Sequence, residues 1–586
     1  MRKLAAACER IASTSKKLEK TAIVAEYFQS RTPEEASVSA VFLSGRPFPV
    51  WEEATLQVGG RLLWRLVAEL ADKSEDELTS VYRKYGDLGA VAGEVLPDRG
   101  QSGVGVLEAR ATFRQIASAR GAAPKEALAR QLLARATPLE AKYLVKIMTG
   151  DLRIGLKESL VEEGIAKACG GTLAEVQRAN MLLGDIGESL LLGAAGKLTE
   201  AKMRLFHPLG FMLASPAESA EDALSYFPEA LVEDKFDGIR AQAHCSGGEV
   251  RIFSRTRDEI TESFPELPDA LAGFQQDAIL DGEIVAWRVA PASSPAIPPN
   301  DQTHPPSQSQ LDASAILGRA LPFSALQQRL GRKKVSDELM RRLPVAFLAF
   351  DVLYAGGELL IDRPLRERSE ILDRLLAERK PGRARILAPQ GKLAFDESEA
   401  PAPAKVLRAP AFRANSATDL DKLFDASQAR GNEGLMIKDP ASPYTPGRRG
   451  KSWLKLKREL ATLDVVVTAV EYGHGKRVGV LSDYTFAVWD GDRLANIGKA
   501  YSGLTDAEIA EMGKWFLEHT VEDQGFRLVA EPKVVLEVAF NNMMRSDRHA
   551  SGLALRFPRI VRVRPDKLPE EADTIERARE IYEKQK

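Results

Sequence analysis

The 586-residue chain has few cysteines and no long apolar run. Its three cysteines, Cys8, Cys169 and Cys245, are widely spaced, which argues against both a disulfide framework and a zinc site. No apolar stretch approaches the ~20 residues that a membrane helix needs, and the apolar start at Leu4–Cys8 is too short for a signal peptide. We therefore expect a cytoplasmic protein with no membrane association.

The chain also has almost no net charge, because 81 basic and 83 acidic residues give a total of −2. This balance does not by itself indicate a nucleic-acid-binding protein, but an average can conceal opposed patches. Near the C-terminus only Asp547 and Asp566 oppose a basic series, which consists of Arg545, Arg548, Arg556, Arg559, Arg562, Arg564 and Lys567. This part of the chain can therefore present a basic face to a polyanion.

Residues 1–205 are predicted to form an all-α domain, the first of roughly three or four domains expected at this length. Thr32-Pro33 has the pattern of a helix start. Apolar residues recur at helical spacing in Leu62–Leu70, Leu107–Ala119, Lys125–Ala134, Ala141–Met148 and Leu173–Leu183. Near the turn Asp151–Gly155 lie Lys146, Arg153 and Lys157, which fit either a phosphate-binding helix start or an ordinary helix corner.

Residues 206–460 are predicted to form an α+β domain. Strand-like runs bounded by turns occur at Val250–Ser254, Ala278–Trp287, Val345–Tyr354, Gly434–Lys438 and Trp453–Lys457. Helices are predicted between them, for example at Ser369–Leu376 and Thr418–Ala429. The tract 291–309 is rich in Pro, Ser and Gln, so it and the shorter Asp396–Ala404 are expected to be exposed insertions.

Residues 461–586 are predicted to form a small β-barrel. Strand-like runs at Asp464–Val470, Tyr484–Trp489 and Val534–Phe540 have the spacing of a barrel, and a helix is predicted near Ala507–Glu518. The oligonucleotide-binding (OB) fold fits this arrangement.

The hexapeptide Lys235–Arg240 is the first sign of covalent chemistry. Lys235 follows a predicted strand, with an aspartate two residues later and Gly238 forcing a bend. A lysine amine attacks only when deprotonated, and burial or neighbouring cations favour that form. Taken alone, the hexapeptide fits a surface Lys–Asp pair at a turn equally well.

Further charged and aromatic signals lie at the ends of the central strands. They are Ser254-Arg255, Asp281-Gly282-Glu283, Phe350-Asp351, Glu433-Gly434-Leu435-Met436-Ile437-Lys438 and Trp453-Leu454-Lys455-Leu456-Lys457. In the last of these, strand alternation places Lys455 and Lys457 on one face. Two such lysines repel each other unless an anion such as phosphate lies between them.

In this order, the motifs resemble those of the covalent nucleotidyltransferase superfamily and, more narrowly, those of ATP-dependent DNA ligases. The C-terminal Arg564-Pro565-Asp566-Lys567 is similar to the last ligase motif. The resemblance extends from about Lys142 to Lys567. Thr256 departs from it, since many ligases have Asn at this place.

The resemblance implies a nucleophile and a nucleotide pocket. Lys235 would attack the α-phosphate of ATP, release pyrophosphate and carry AMP as a phosphoramidate. Glu233 would hold the adenine edge, Phe350 would stack on the adenine ring, and Glu283 would bind the ribose.

It also implies phosphate and metal ligands. The residues that would contact nucleotide phosphates or the 5′-phosphate of a nick are Arg240, Arg255, Arg449, Lys455 and Lys457. Glu283 and Glu433 would hold Mg²⁺ or Mn²⁺. Arg564, Asp566 and Lys567 would orient the pyrophosphate leaving group.

A ligase of this kind would join nicked double-stranded DNA in three substitutions at phosphorus. AMP passes to the lysine and then to the DNA 5′-phosphate, before a 3′-hydroxyl displaces it. The all-α domain would bind DNA, the α+β domain would carry out adenylation, and the protein would act as a monomer in replication, repair or recombination.

Other functions fit part of this pattern. RNA ligases and mRNA capping enzymes share the lysine motif, although capping enzymes have no large helical domain before it. A non-catalytic DNA-binding scaffold would be expected to lack some motif residues, and none is missing here. A Schiff-base lysine of an aldolase would not require the paired lysines.

Overall fold

The computed structural model describes most of the chain. It covers residues 1–52, 54–98, 103–227, 229–289, 318–321, 323–330, 335–379, 405–457, 462–473, 477 and 479–584. The expected insertions at 291–309 and Asp396–Ala404 lie outside the described residues and stay predictions. In the part that is described, no helix is both long and apolar enough to cross a membrane.

Internal contacts group the chain into two units. Residues 1–57, 104–129 and 150–457 form the first unit, and residues 58–103, 130–149 and 458–586 form the second. Each unit is described by itself.

The described residues before 205 contain helices and no β-strand, as predicted. The α-helices are α1 Arg2–Ala12, α2 Lys17–Gln29, α3 Pro33–Leu43, α4 Gly60–Ala71, α5 Glu75–Tyr85, α6 Leu88–Val95, α7 Val106–Ser118, α8 Ala122–Arg135, α9 Pro138–Met148, α10 Glu158–Cys169, α11 Leu173–Leu183 and α12 Ile186–Ala194. Helix α3 begins at the predicted place, because Thr32 Oγ1 accepts a hydrogen bond from the Glu35 amide at 3.2 Å. Such a cap contributes about 1 kcal/mol.

A buried lysine, Lys20, is hydrogen-bonded to the backbone of the turn between α9 and α10. Lys20 Nζ donates a hydrogen bond to the Ile154 carbonyl oxygen at 2.7 Å. Arg153 pairs with Asp151 at 2.5 Å. Lys146, which a phosphate-binding helix start would use, is instead buried in an ion pair with Asp87. Its charge is therefore already neutralised within the fold.

Two sheets and the helices that cover them make up the rest of the first unit. The strands are β1 Leu213–Ala217, β2 Ala230–Asp234, β3 Ile239–Ser246, β4 Glu249–Ser254, β5 Ala278–Val289, β6 Gly318–Ala320, β7 Val345–Ala355, β8 Glu358–Leu359, β9 Lys405–Arg408, β10 Ala411–Ala414, β11 Leu435–Lys438 and β12 Arg449–Leu456. The helices are α13 Ala220–Leu224, α14 Leu267–Leu271, α15 Phe323–Leu326, α16 Asp337–Arg342, α17 Leu365–Glu378 and α18 Ala417–Ala429. These elements confirm the strands and helices predicted for residues 206–460.

The strands of this unit form two sheets. One has the order β1-β12-β11-β2-β10, and the other has the order β4-β3-β5-β7-β8 with β6 beside β5 and β9 beside β7. A buried cluster joins them, since it contains Leu348 from β7 and Trp453 from β12. Phe424 of α18 packs on the first sheet, and Leu372 of α17 packs on the second. The layers therefore run helix, sheet, sheet, helix.

The C-terminal part of the second unit is organised around one long strand that pairs with three others. Its strands are β13 Leu463–Tyr472, β14 Leu481–Asp490, β15 Arg493–Ala500, β16 Thr520–Asp523, β17 Arg527–Ala530, β18 Val535–Ala539, β19 Asn542–Arg545, β20 Leu553–Arg556 and β21 Arg559–Val563. Helix α19 spans Asp506–Glu518 and α20 spans Ile575–Lys584. The predicted strands and the predicted helix are thus present.

Strand β13 pairs with three neighbours, using its first half for β18, its second half for β17, and most of its length for β14. Strand β21 pairs with β18, and β19 pairs with β20 in a separate hairpin. Among the described residues this pairing does not close into a barrel. The OB barrel therefore stays a prediction.

A buried ion pair ties β7 to α17. Asp351 and Arg368 are both fully buried and make two parallel contacts, Nε to Oδ1 at 2.8 Å and Nη2 to Oδ2 at 2.9 Å. Removal of one partner from such a pair leaves an uncompensated charge and costs about 3–5 kcal/mol. Asp351 directly follows Phe350, so the pair also fixes the strand that carries this ring.

We expect Arg368→Met to lower the free energy of opening of β7 by about 3–5 kcal/mol, because Asp351 remains buried without a counter-charge. Hydrogen exchange followed by mass spectrometry measures that free energy for the β7 amides. The matched control is Arg366→Met, since Arg366 is exposed on the same helix. Equal protection of β7 in both variants would contradict the expectation.

Candidate active site

Lys235 lies directly after β2, where two backbone hydrogen bonds join it to the loop before β11. Its amide donates to the Gly434 carbonyl oxygen at 2.8 Å, and its own carbonyl oxygen accepts from the Glu433 amide at 2.9 Å. Gly434 has φ +143, and a Cβ there would collide with the Leu456 carbonyl oxygen of β12. Glycine is therefore required at position 434, where the chain that enters β11 passes close to the backbone of β12.

Asp234 fixes the same loop from the other side. Its carboxylate accepts hydrogen bonds from Arg430 at 2.7 and 2.9 Å and from the Asn432 side chain at 3.0 Å. Asp234 and Lys235 are thus both bound to the segment that contains Glu433. The position of the Glu433 carboxylate follows from this anchoring.

Glu433 lies between two lysines. Its Oε2 is 2.5 Å from Lys235 Nζ and also forms an ion pair with Lys457. Burial alone would raise the pKa of Glu433, but the charges of Lys235 and Lys457 outweigh burial and lower the pKa to about 2. Glu433 is therefore ionised at neutral pH.

Lys455 lies on β12 and Lys457 directly follows this strand, and both extend from the same face, as strand alternation predicts. Leu454 and Leu456 point to the other face, where they join a buried cluster. Burial lowers the pKa of both lysines, and the charge of Lys235 lowers each further.

Two exposed arginines belong to the same cationic region. The charges of Arg449 and Arg255 also lower the pKa of Lys455, after burial and Lys235. Arg449 begins β12, and Arg255 follows β4. The structure thus brings together five cations that the sequence places far apart: Lys235, Arg255, Arg449, Lys455 and Lys457.

Glu283, on β5 of the second sheet, also lies near Lys235. Its strand lies beside β3, and a Cβ on Gly238 would collide with the Ile284 carbonyl oxygen and lie 2.8 Å from Glu283 Cγ. The glycine of the hexapeptide therefore permits the close approach of these chains. Burial raises the pKa of Glu283 to about 8, although Lys235 and Arg240 act in the opposite direction.

A divalent cation fits between the two glutamates in chemical terms. Glu433 also raises the pKa of Glu283, as two like charges close together do. Mg²⁺ commonly takes one or two carboxylates and completes its shell with water and substrate phosphate oxygens. Within the described residues, no group of three or more His, Cys, Asp or Glu side chains forms a metal cage. The pair therefore suits a metal ion that arrives with a phosphate substrate.

The other end of the site is buried and combines aromatic rings with an ion pair. Glu233 Oε2 accepts a hydrogen bond from Lys438 Nζ at 2.5 Å. The same ammonium lies 4.4 Å from the Phe350 ring centroid and 4.3 Å from that of Trp453. Phe350 and Trp453 meet edge to face. This arrangement combines an aromatic wall with an acceptor at its edge, which suits a purine.

Arg240 is held inside the fold, so a direct phosphate contact does not follow from its position. It makes two hydrogen bonds with Asp281, at 2.8 and 3.2 Å, and donates to the Met212 carbonyl oxygen at 2.6 Å. Tyr444 donates to the same carboxylate at 2.6 Å. The guanidinium also lies 5.5 Å from the Phe350 ring centroid. Arg240 therefore contacts the aromatic wall while its guanidinium is already hydrogen-bonded within the fold.

The motif Arg564–Lys567 lies in the second unit, where Asp464 binds both of its basic residues. Asp464 accepts hydrogen bonds from Arg564 Nη1 at 2.9 and 3.0 Å and from Lys567 Nζ at 2.6 Å. Arg564 also pairs with Asp566 at 2.8 Å, and this lowers the pKa of Asp566 to about 2. The motif is thus bound to the start of β13.

Several residues of the site carried no individual prediction. Lys438, Asp281 and Asp351 lay inside the recognised motifs, so their presence there was a signal. Tyr444 and Asp464 stood outside every motif, and nothing in the sequence marked them.

Comparison with known families divides the chain into three parts. Residues 1–166 match the family model described as DNA ligase N terminus. Residues 211–298 and 301–457 match the ATP dependent DNA ligase domain, and residues 477–567 match the ATP dependent DNA ligase C terminal region. Together they define a three-domain ligase with a helical N-terminal part and a central adenylation part.

Relatives agree over the full length. A protein from Koribacter versatilis named probable DNA ligase is 58% identical over 100% of this chain and 97% of its own. The DNA ligase of Methanopyrus kandleri is 35% identical over 99% of this chain and 98% of its own. The chain belongs to the ATP-dependent DNA ligase family. This confirms the resemblance, and with it the expectation of an enzyme.

A solved structure titled Pmar-Lig_PreS3 shares the overall fold. Its TM-score is 0.58 at 16% identity, and the match covers 96% of this chain and 99% of that one. Nothing in the comparisons favours an RNA ligase, a capping enzyme or a non-catalytic scaffold.

We expect Glu283→Gln to change how thermal stability depends on pH. The Glu283 carboxyl has its ordinary pKa of 4.5 when the chain is unfolded, and burial raises this pKa to about 8 in the folded protein. The folded wild type holds the extra proton between these values, so its stability falls as pH rises through that window. Glutamine does not titrate, so the variant should gain in Tm relative to the wild type as pH rises.

Thermal unfolding in buffer with a chelator and no nucleotide measures this difference. The matched control is Glu262→Gln, because Glu262 is exposed. If the Tm difference between Glu283→Gln and the wild type stays constant from about pH 5 to about pH 9, the raised pKa is wrong.

Proposed function

We propose that Lys235 is the nucleophile that becomes adenylated by ATP and that the cations around it neutralise the phosphates. The observation that carries this proposal is the convergence of Lys235, Lys455, Lys457 and Glu433 at the end of three adjacent strands. The lysine nitrogen forms a bond to the α-phosphorus while the bond to pyrophosphate breaks. The AMP group then moves to a DNA 5′-phosphate, and a 3′-hydroxyl displaces it to close the nick.

The cations have separate tasks in this proposal. Lys455 and Lys457 take up the charge that develops on the α-phosphate. Arg255 and Arg449 are exposed, so they are suited to bind phosphate oxygens of the nucleotide or the nick. A guanidinium can form two parallel hydrogen bonds to one phosphate. Arg240 acts indirectly, through the aromatic wall.

Glu283 and Glu433 would hold a divalent metal ion, Mg²⁺ or Mn²⁺. The bound ion would supply positive charge at the phosphates that react. Glu433 also pairs with Lys235, and loss of this ion pair would leave the lysine amine without its carboxylate partner.

At the base end, Glu233 would accept a hydrogen bond from the adenine amino group while Phe350 stacks on the ring. Support comes from Glu233 Oε1, which is buried and receives no hydrogen bond from any described residue. Arg408 Nη1 forms an ion pair with this oxygen at 3.9 Å. A ligand donor would satisfy this atom.

The remaining assignments concern domains and partners. We propose a DNA-binding domain at 1–205, an adenylation domain at 206–460 and an OB barrel at 461–586 that carries Arg564 and Lys567. The three would act on nicked duplex DNA as a monomer in the cytoplasm. The bent pairing of β13 supports the barrel.

We expect Lys235→Ala to abolish the covalent AMP adduct, by at least about 1,000-fold, because no other group replaces a nucleophile. Incubation with labelled ATP, followed by denaturing electrophoresis, measures the adduct. The label on the wild type should be labile in acid, as a phosphoramidate is.

The matched control is Lys422→Ala, because Lys422 is exposed on α18. A wild type that takes no acid-labile label would overturn the adenylation proposal. Full labelling of Lys235→Ala would show that another residue is the nucleophile.

We expect Lys567→Ala to slow self-adenylation while better preserving the sealing of a nick that already carries AMP. The reason is that Lys567 is proposed to orient pyrophosphate, which is absent from the sealing step. Both rates are measured on the same preparation, with Lys514→Ala as an exposed-lysine control from α19. Equal loss in the two assays would contradict the assigned role.

A further inference from the structure

Residues 204–212, which we call the connector, join the helices of the first unit to β1. The structure describes all of them, and they form neither helix nor strand. Such a segment commonly serves as a hinge between domains. Here, however, Leu209 and Met212 are buried in the same apolar cluster as Phe350 and Trp453. The connector is therefore part of the core of the first unit.

Two fully buried side chains of β3 bind the backbone of the connector. The Gln242 side-chain amide donates to the Leu209 carbonyl oxygen and accepts from the Leu209 amide, each at 3.0 Å, as a neighbouring strand would. Two positions along the same face, His244 Nδ1 accepts a hydrogen bond from the Phe206 amide at 3.0 Å. Burial lowers the pKa of His244 to about 3, so the ring is neutral and can accept. These bonds replace the ladder bonds that an irregular segment lacks.

The backbone of Phe206 indicates that the connector is held in one conformation. Its φ is +65, which residues other than glycine rarely adopt. Such a conformation persists only where the surroundings fix it. His244 binds the Phe206 amide, and the Arg251 guanidinium lies 4.9 Å from the centroid of the Phe206 ring.

The last residues of the connector are bound to the loop that leads into β12. The Met212 amide donates a hydrogen bond to Tyr444 Oη at 3.0 Å. The Gly447 amide donates to the Phe211 carbonyl oxygen at 3.1 Å. Strand β12 begins two residues later with Arg449. The connector thus contacts the backbone next to a proposed phosphate-binding arginine.

The first residues of the connector are bound to the helices of the first unit. Arg204 donates two hydrogen bonds to Glu188 of α12, at 2.5 and 2.8 Å. His207 stacks on Trp51, with the ring centroids 4.8 Å apart and the planes 6° apart. Its Nδ1 lies 2.7 Å from the Leu183 carbonyl oxygen. The connector is therefore bound at both ends as well as along β3.

We infer that the connector is a rigid link rather than a hinge, and that His207, Gln242 and His244 are positioning residues for the reactions on DNA. They hold the helices of the first unit, which belong to the proposed DNA-binding domain, in one orientation relative to Lys235 and Arg449. A nick bound by these helices is then already oriented toward the reacting groups. This inference rests on the proposed function, because it needs the helical domain to bind DNA.

The variant His207→Ala tests the link by separating the reaction with ATP from the reactions on DNA. It removes the stack on Trp51 and the bond to Leu183, and it leaves the ATP site intact. Self-adenylation without DNA should stay within about twofold of the wild-type rate, since no group that touches ATP is changed. The maximal rate at which AMP-free enzyme seals a nick that already carries AMP should fall about 10- to 100-fold, because misplaced groups react slowly.

The half-saturating concentration of nicked DNA provides a further readout. It should stay within about twofold of the wild-type value, because His207→Ala is expected to change orientation and to remove no contact with DNA. A loss confined to the maximal rate of sealing distinguishes a positioning role from a role in binding.

The second unit offers a matched control with the same two kinds of contact. His519 stacks on Trp515, with centroids 3.9 Å apart and planes 5° apart, and its Nδ1 lies 2.8 Å from the Trp515 carbonyl oxygen. His519→Ala should change self-adenylation and sealing by no more than about twofold. An equal loss of sealing in His519→Ala and His207→Ala would overturn the inference.

Hydrogen exchange on the wild type keeps the test decisive if a variant does not fold. A rigid connector predicts that the amides of Phe206 and Leu209 exchange as slowly as those of β3, because their acceptors are buried. Exchange at both amides more than about 100-fold faster than in β3 would indicate a hinge and overturn the inference. In Gln242→Met the Leu209 amide should exchange faster, and sealing should fall by at least about tenfold more than self-adenylation.

The remaining outcomes are equally decisive. Wild-type sealing in both His207→Ala and Gln242→Met would overturn the inference, and so would an equal loss of self-adenylation and sealing, which general damage to the fold produces. A higher half-saturating concentration of DNA at an unchanged maximal rate would also overturn it. A wild type that does not bind nicked DNA would instead overturn the proposed function.

Discussion

Repulsion between like charges is the constraint on which the active-site corner depends. Lys235, Lys455 and Lys457 lie close together at the ends of adjacent strands, and two arginines are near enough to act on Lys455. Charges a few ångströms apart interact by about 1 kcal/mol in water and by several times more where water is partly excluded. Glu433 relieves this repulsion by pairing with two of the lysines. A triphosphate would relieve it in the same way, so the corner is complementary to the substrate before the substrate arrives.

The backbone around Glu433 explains how the fold tolerates such a corner. Asp234 binds the loop on one side, and the Lys235 peptide binds it on the other. Gly434 lets this loop pass against β12 without a side chain. The charged side chains are therefore mounted on backbone that cannot relax away from their repulsion. Rigid mounting of this kind is what a reaction that proceeds by positioning and charge neutralisation requires.

Residue types and strand alternation predicted much of this arrangement. Lys455 and Lys457 were expected on one face of a strand, and the structure places them there, because side chains alternate in any strand. The pairing of Arg240 was not predictable, because its partners Asp281 and Tyr444 lie 41 and 204 residues away along the chain. The same is true of Lys146, whose partner Asp87 is 59 residues away. A local pattern identifies a charge, but only the tertiary structure shows whether another charge has already neutralised it.

The site that we propose thus has two ends that differ in physical character, one for the base and one for the phosphates. At the base end, Glu233 and Lys438 are almost fully buried, so their charges interact strongly and water contributes little. At the phosphate end, Arg255 and Arg449 are exposed, so their charges are partly screened and can be exchanged between partners. In the proposed reaction the phosphate at this end changes three times, from ATP to the lysine adduct to DNA, while the base stays the same. A rigid, buried end that recognises the base and an open end that accepts successive phosphates suit that sequence of steps.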